Sequence, residues 1–469
     1  MFDINREHPE YAAKRAMWRK YGDLYAGGEQ LKARAEEYLT PRQKEPRDVY
    51  AERLSRVFYE NYIGSIIDWY TATLFRREPA LTYDGVNEQG KAFFAEFTDD
   101  CDLKGTTLTD FFRRVFVDAL VNGRSHILAD FPRWSGVAET RAEEDAAGAS
   151  RAYLSNYPAD ELINWSYDER GNYEWVVLRT SGLRKQRIED TEWCRETRWA
   201  YYDKQTYRIY EEIQPLKDAE MRIPFVAPPK TAATLTASGR HGMAKLNRVP
   251  LFDLALSDGL WLMNKAGLLQ LEHLNKSNAL GWALTMGLFA MPVVYSERDW
   301  DQMVGESYYI QLGPQDKFGW TEPEGKVFQI AADNLTRLQE EIYRVCYLAH
   351  AGGAVSSGHA ISAQSKQRDY SITQEVLRAY GDGVKETMKR VLRAVAAARE
   401  DGLEIAVSGM DEFDIGVFGT EVADAQQLLG MGIESPTLRK QIYKKLAFQY
   451  LCDARQEVKD EIGAEIDGK

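Results

Sequence analysis

The sequence predicts an α+β fold that is mostly helical, and three observations support this. Apolar residues recur at steps of three and four within the first 130 residues and again from Ile372, which is the spacing of one helix face. Between these regions, residues 151–222 change to short β-type runs separated by turn residues, as in an antiparallel sheet. With 469 residues, 44% of them apolar, the chain can bury a sizeable core and should form several domains.

Charge and cysteine content exclude several classes of protein. The net charge of −13 argues against a chain that grips nucleic acid through a general basic surface. The four cysteines are scattered singly, so neither a zinc knuckle nor a disulfide framework is indicated. Charged residues from Asp3 onward and the lack of an apolar run lead us to expect no secretory leader.

Helices and one strand are predicted for the first 130 residues. A charged helix over residues 7–37 should break at Gly27 and Gly28, and an apolar stripe predicts one helix over residues 50–74. A helix over residues 108–121 should open at Thr106-Thr107 and close at Asn122-Gly123. A further helix over residues 93–97 and a strand over residues 125–129 complete the region.

The middle of the chain is predicted to be a sheet bounded by loops. Residues 135–150 are small and acidic, which indicates an exposed loop and a domain boundary. A turn is expected at residues 168–172, and residues 228–242 are expected to form a loop. Three strands are predicted, at residues 173–178, 197–202 and 207–210.

The second half is predicted to alternate long helices with short strands. The longest apolar helix should run over residues 251–290, and a long helix from Ile372 should kink or pack closely at Gly381 and Gly383. The small residues 351–357 are typical of a mobile loop. The remaining predictions are short strands within residues 292–330, among them 308–310, 318–320 and 327–329, a helix over 332–350, a strand over 403–415 and charged helices in the last fifty residues.

One uncharged run raises a membrane alternative. Residues 277–296 carry no charge and have about the length of a membrane-spanning helix. However, Pro292 should end the helix and leave residues 293–295 as a strand. A buried helix inside an oligomer is therefore favoured, and a membrane-anchored protein that uses residues 277–296 is the alternative.

No catalytic constellation stands out. The sequence contains no GxxxxGK[ST], HExxH or GxSxG motif. Glu324 and Lys326 are similar to half of a nuclease metal site, which leaves a capsid-associated, metal-dependent nuclease as a second alternative. His350 and His359 flank the small-residue loop, where solvated histidines are favoured over a metal pair. We expect no enzyme, catalytic residue, cofactor or metal.

The order of several short motifs resembles one protein family. The motifs are WRKYGDLYAGG at residues 18–28, LFRREP at 74–79, NRVPL at 247–251, MPVV at 291–294 and GMGIESPT at 430–437. In this order the sequence resembles the portal proteins, or head–tail connectors, of tailed bacteriophages over nearly the whole chain.

The resemblance implies a portal architecture. A wing, two stem helices, a clip, a tunnel loop and a crown would follow each other along the chain. The implied regions are 1–130, the helical part of the wing; 131–250, its β-rich part; 251–290, stem helix 1; 291–331, the clip; 332–350, stem helix 2; 351–371, the tunnel loop; 372–419, a kinked wing helix and strand; and 420–469, the crown.

The resemblance also implies function and partners. A homo-oligomeric ring, usually of twelve subunits, would assemble in the host cytoplasm, lie at one capsid vertex of the virion, and pass double-stranded DNA during packaging and ejection. Terminase large subunit, a head–tail adaptor, and major capsid and scaffolding proteins would be its partners, and a membrane would not. Twelve copies would carry a net charge of roughly −156, so the channel wall should largely repel the duplex and avoid holding it.

Candidate site residues follow from these assignments. Loop and lysine positions are expected near DNA, and clip aromatics near partner proteins. The tunnel-loop candidates are Gly352, Gly353, Ser356, Ser357, His359, Lys366 and Arg368; the stem and clip candidates are Lys276, Lys317 and Lys326; and the docking candidates are Tyr308, Phe318 and Trp320.

Overall fold

The computed structural model describes most of the chain. The described residues are 3–133, 143, 148–184, 193–215, 233–287, 291–295, 315, 317–321, 325–348, 363–410, 418–431, 435–450 and 456–468.

Helices and strands alternate along the described chain. The helices are α1 Pro9–Ala26, α2 Gly28–Lys32, α3 Ala35–Tyr38, α4 Arg47–Ser55, α5 Tyr62–Leu74, α6 Glu88–Asp99, α7 Leu108–Asn122, α8 Leu262–Gly287, α9 Gly325–Val345, α10 Ala363–Arg399, α11 Phe418–Gly430, α12 Pro436–Tyr450 and α13 Gln456–Asp467. The strands are β1 Ala80–Asp84, β2 Arg124–Asp130, β3 Tyr153–Pro158, β4 Leu162–Tyr167, β5 Tyr173–Arg184, β6 Cys194–Asp203, β7 Thr206–Pro215, β8 Thr234–Arg240, β9 Leu251–Ala255, β10 Met291–Tyr295, β11 Lys317–Thr321 and β12 Glu404–Ser408.

The chain divides into two compact units. Unit 1 comprises residues 1–22, 65–264 and 359–469, and unit 2 comprises residues 23–64 and 265–358. Helices therefore combine with sheets in unit 1, whereas the described residues of unit 2 form mainly helices and one pair of strands. This mixture of helix and sheet agrees with the α+β class predicted from the sequence.

The described strands of unit 1 form three antiparallel sheets. The largest has the strand order β4-β5-β6-β7-β8, the second has the order β3-β2-β9, and the third pairs β1 with β12. Strand β2 is the centre of the second sheet, and nearly all its residues are buried. Helix α7 packs against all three strands of that sheet, and helix α10 packs against β9 and β12.

Aromatic side chains fill the space between the helices of unit 1. Tyr380 on α10 contacts Tyr70 edge-on, with ring centroids 5.6 Å apart, and Phe116 on α7 at 5.2 Å. All three rings are fully buried, and the Tyr380 hydroxyl donates to the carbonyl of Leu260. The buried hydroxyl therefore has a partner, as buried polar groups require.

Side-chain amides on α8 organise the irregular backbone of unit 2. Gln270 donates to the carbonyl of Glu60 and accepts from the backbone N–H of Ile63. Asn275 donates to the carbonyl of Tyr38 and accepts from the backbone N–H of Thr40. Asn278 likewise donates to the carbonyl of Phe58 and accepts from its backbone N–H. These amides satisfy backbone groups that no helix or strand pairs.

Several local predictions are confirmed. Thr107 caps α7 by accepting from the backbone N–H of Asp110, and Gly123 ends the helix in the left-handed conformation with φ 82°. The break at Gly27, the turn at 168–172 and the strand after Pro292 are also present. On α10, a β-carbon at Gly381 would lie 2.1 Å from the carbonyl oxygen of Met410, which confirms close packing there.

Two predicted helices are wrong in extent. The single helix over residues 50–74 is two helices, because Asn61 accepts from the N–H of Gly64 and starts α5 anew. The helix predicted from Leu251 begins at Leu262, since residues 251–255 form β9 and pair with β2. That pairing includes a hydrogen bond between His126 Nδ1 and Asp253 Oδ1 at 2.7 Å, which local periodicity could not reveal.

Other boundaries also differ from the predictions. Helix α9 begins at Gly325 instead of residue 332, so residues 327–329 are helical and not a strand. The predicted loop over 351–371 is helical from Ala363, and residues 351–362 lie outside the described part. Residues 234–240 of the predicted loop 228–242 form β8 through pairing with β7, and β1 was not predicted.

Candidate functional site

Two antiparallel helices dominate unit 2. The Lys265 ammonium on α8 bonds the hydroxyl of Tyr347, which follows α9, at 2.5 Å. Further along, Lys276 on α8 bonds the Oδ1 of Asn334 on α9 at 3.0 Å. The residue number of the contact rises along α8 from 265 to 276 and falls from 347 to 334 on the side of α9, so the two helices run in opposite directions. We call α8 and α9 together the helix pair.

The part of the helix pair near Lys265 and Tyr347 is well packed. His273 on α8 contacts Tyr62 edge-on with ring centroids 5.0 Å apart, and Tyr62 also contacts Tyr343 at 6.3 Å. Burial lowers the pKa of His273, partly offset by Glu60 at 3.4 Å, so the imidazole is neutral at physiological pH. Burial raises the pKa of the Cys346 thiol to about 12, which makes it an inert packing group.

The other part of the helix pair is open to solvent. No described residue of α8 after Asn278 is buried, and none of the described residues 326–337 of α9 is buried. Two α8 side chains illustrate this: Trp282 is half-buried and Leu284 is exposed. The helix pair therefore has a covered end and an uncovered end within one chain.

Apolar side chains on α9 form one face that crosses from the uncovered to the covered end. We call this face the α9 stripe; it consists of Val327, Ile330, Leu338 and Ile342, whose spacing keeps them on one side of a helix. Ile342 is fully buried and Leu338 nearly so, whereas Val327 is 64% exposed and Ile330 is 60% exposed. Sequence reasoning does not find this surface, because it predicts a strand at residues 327–329. The spacing of the apolar residues at 327, 330, 338 and 342 is the signal that identifies it.

The three predicted stem and clip lysines lie in different elements. Lys276 is on α8 as expected, and it pairs with Glu272 at 3.0 Å in addition to Asn334. Lys317 is exposed at the start of β11, opposite Tyr295 in the register of β10 and β11. Lys326 is exposed in the first turn of α9 and not in the strand region where it was predicted.

The predicted docking residues are described only in part. Phe318 and Trp320 lie in β11, opposite Val294 and Pro292 of β10, and the positions of their side chains are outside the described part of the structure. Tyr308 lies outside the described residues altogether. Tyr295 in β10 is an exposed aromatic residue of the same strand pair, which the sequence analysis did not single out.

The tunnel-loop candidates are divided. Gly352, Gly353, Ser356, Ser357 and His359 lie outside the described residues. Lys366 and Arg368 are in the first turns of α10, so their assignment to a loop is wrong. A helix at this position forms because the run from Ala363 to Arg368 has good helix formers and no Gly or Pro.

The metal-site, membrane and nuclease alternatives have no counterpart among the described residues. Within the described ranges, no group of three metal-ligating side chains comes together. Among the helices that the structure describes, none is long and apolar enough to cross a membrane. Glu324, the carboxylate of the nuclease alternative, falls outside the described residues, as do His350 and His359.

Comparisons with known proteins give similarity to solved particle structures. No family model matches the chain, and no curated protein matches it. The chain is similar to a protein in the neck of an empty gene transfer agent particle, solved with C6 symmetry, at 11% identity and a TM-score of 0.49, covering 86% of this chain and 95% of that one. Similar chains occur in the native gene transfer agent virion, at 11% identity, TM-score 0.43 and 86% and 94% coverage, and in the native neck with C12 symmetry, at 12% identity, TM-score 0.36 and 86% and 93% coverage.

Proposed function

We propose that the chain is the subunit of a portal ring, a channel for double-stranded DNA at one vertex of a phage-like capsid, and not an enzyme. The observation that carries the proposal is the α9 stripe, which is buried at Ile342 and exposed at Val327 and Ile330. An apolar helix face needs a partner along its length, and among the described residues only the end near Ile342 is covered.

A second copy of the same chain supplies the missing cover. Burying a Val or Ile side chain stabilises an interface by about 1.5–3 kcal/mol, so Val327 and Ile330 favour association. When one surface of a subunit contacts a different surface of its neighbour, repeated contacts close into a ring if the rotation between subunits divides a full turn. The uncovered end of α8, with Leu284 exposed, is the second surface we assign to this contact.

The charge of the chain supports a channel that does not hold DNA. Each phosphate that a Lys or Arg neutralises adds affinity, which would slow a moving duplex. With a net charge of −13 per chain, the ring repels the duplex overall. Lys276 has a carboxylate and an amide as partners, which limits its phosphate contacts, whereas the exposed Lys317 and Lys326 are the better candidates for brief contacts.

Partner proteins are assigned to the strand pair β10–β11. It carries Tyr295, exposed at 64%, and the aromatic residues Phe318 and Trp320 within five residues of β11. Aromatic side chains dominate the binding energy of many protein interfaces. We assign the terminase motor and the head–tail adaptor to this pair, and the major capsid and scaffolding proteins to other surfaces of the ring.

Solution mass and particle images test the proposal. The full chain is purified alone and after co-expression with the capsid and scaffolding proteins of its own particle, and is then measured by light scattering and negative-stain microscopy. Twelve copies of the 53.6 kDa chain would give roughly 640 kDa and a ring with a central hole. A monomer in both preparations, or a closed assembly without a hole, would contradict the portal assignment.

A further inference from the structure

Two arginines, Arg248 and Arg390, line an open cleft in unit 1, and neither forms an ion pair with a described carboxylate. The cleft has a volume of about 650 Å³ and lies between the turn at residues 168–172, the segment 247–253 that leads through β9, and Arg390 on α10. Arg390 belongs to none of the sequence motifs assigned to the portal function, whereas Arg248 lies within the motif at residues 247–251.

Arg248 is the unusual residue of this cleft. Its guanidinium lies over the ring of Phe252 at 4.2 Å, and its Nε is buried without a hydrogen-bond partner. Burial lowers the pKa of Arg248, and the neighbouring charge of Arg390 lowers it further. A half-buried guanidinium normally gains a carboxylate to offset its desolvation, and this one faces a like charge instead.

Arg390 is held in place by neutral groups. Its Nη2 donates to the backbone carbonyl of Asp253 at 2.9 Å and to the hydroxyl of Thr387 at 3.0 Å. These bonds fix the side chain at the cleft but leave its charge without an anionic partner. Two positive charges therefore converge on one open volume.

The acidic residues that line the cleft have other partners or lie at its rim. Asp168 accepts from Lys204 at 2.8 Å and from the backbone N–H groups of Arg170 and Asn172. Asp253 accepts from His126 at 2.7 Å and from the Tyr173 hydroxyl at 2.8 Å. Glu169 is exposed at the tip of the turn, next to the exposed Arg170.

We propose that this cleft binds a doubly charged oxyanion, with a phosphate monoester group held between Arg248 and Arg390. The planar guanidinium fork matches two oxygens of a phosphate, and two such forks balance two negative charges. A phosphate monoester carries −1.5 to −2 charges near neutral pH, whereas a carboxylate or a DNA phosphodiester carries about one. The cleft volume also leaves room for an organic group attached to the phosphate.

Calorimetric titration of the full chain tests the site. Inorganic phosphate, a nucleoside monophosphate, acetate and a short single-stranded oligonucleotide are titrated at matched ionic strength and neutral pH. We expect phosphate and the monophosphate to bind and acetate not to bind. Tighter binding of the monophosphate than of inorganic phosphate would assign an organic phosphate, and equal binding would assign the free ion. Binding of the oligonucleotide as tight as that of phosphate would overturn the monoester assignment.

Three variants connect the binding to the two arginines. Arg248→Gln and Arg390→Gln should each weaken phosphate binding about tenfold or more, because each removes charge-assisted hydrogen bonds. Arg208→Gln removes the same charge from β7, where Arg208 lies over Tyr201 outside the cleft, and should bind like the natural chain. Since Arg248 also packs on Phe252, the exposed Arg390 provides the variant that keeps the fold. The proposal would be overturned if Arg390→Gln bound phosphate as tightly as the natural chain. It would also be overturned if the natural chain showed no binding at 10 mM phosphate, since a dissociation constant of about 10 mM is the weakest that a site with two guanidinium groups should show.

Discussion

Helices α9 and α10 have the same kind of sequence pattern and different surroundings. On α10, the apolar stripe is fully buried at Leu377, Val384 and Leu392 against other parts of unit 1, and Ile372 near its beginning is 50% exposed. On α9, the stripe is buried at Ile342 and exposed at Val327 and Ile330. Both helices place apolar residues at spacings that return to one helix face, so periodicity does not distinguish them.

The difference shows what an amphipathic pattern can and cannot predict. The pattern states that one face of a helix should be covered, but it does not state which chain provides the cover. For α10 the cover is β9, β12 and α7 of the same unit. For the first half of α9 we assign the cover to a second copy, so mutations in the two stripes should affect different properties.

The largest expected difference is in the free energy of unfolding. Leu392→Ala should lower it by about 2–5 kcal/mol, because the side chain is fully buried and its loss leaves a cavity. Ile330→Ala should change it by less than about 0.5 kcal/mol in the dissociated chain, where the side chain is exposed. Urea unfolding of dilute, monomeric protein measures both values, and equal losses would refute the comparison.

The burial of one carboxyl group in unit 1, that of Glu161, can be tested through the pH dependence of stability. Burial, together with the neighbouring carboxyls of Asp160 and Asp118, raises the pKa of Glu161 to about 8. The folded state thus holds this proton more tightly than the unfolded state, whose pKa is near 4.5. The stabilising contribution is complete below pH 4.5 and is lost as the pH rises towards 8.

Glu161→Gln removes this loss of stability. Relative to the natural chain, the variant should gain on the order of 2–4 kcal/mol between pH 5 and pH 8. Unfolding by urea at both values of pH measures the gain. A difference between variant and natural chain that does not change with pH would show that Glu161 is not buried as the structure places it.

A smaller effect is expected where α10 passes Met410. Gly381→Ala should destabilise the chain by about 1–3 kcal/mol, because the added carbon would overlap the carbonyl oxygen of Met410. Gly383→Ala is the matched control, since its nearest neighbour is Leu254 at 4.0 Å. The control should gain up to about 1 kcal/mol from helix propensity. Thermal unfolding of both variants measures the contrast, which disappears if α10 does not pack against residue 410.

The sequence correctly predicts those helices and strands whose ends are determined by neighbouring residues in the chain. Thr107 and Gly123 mark the ends of α7 in the sequence and in the structure alike. The strand β9 was predicted as helix because its cause is the edge of β2, more than a hundred residues earlier. Likewise, the break between α4 and α5 depends partly on Asn278, which bonds the backbone of Phe58 across 220 residues.

The candidate site was predictable in part for the same reason. Lys276 was correctly expected on a helix, whereas Val327 was expected in a strand because three residues are too few to separate the two periods. Arg248 lies in the motif at residues 247–251, but that motif does not indicate an anion site. The significance of Arg248 comes from Arg390, which the fold of unit 1 brings to the same cleft.

The mass of an Ile330→Asp variant tests the central claim most directly. A charge in the exposed half of the α9 stripe should prevent self-association, because an unpaired carboxylate would be buried in the contact. Val86→Asp is the control, since Val86 is 99% exposed between β1 and α6 of unit 1. By light scattering, Ile330→Asp should be monomeric while Val86→Asp retains the mass of the natural assembly. An Ile330→Asp variant that assembles like the natural chain would contradict the account.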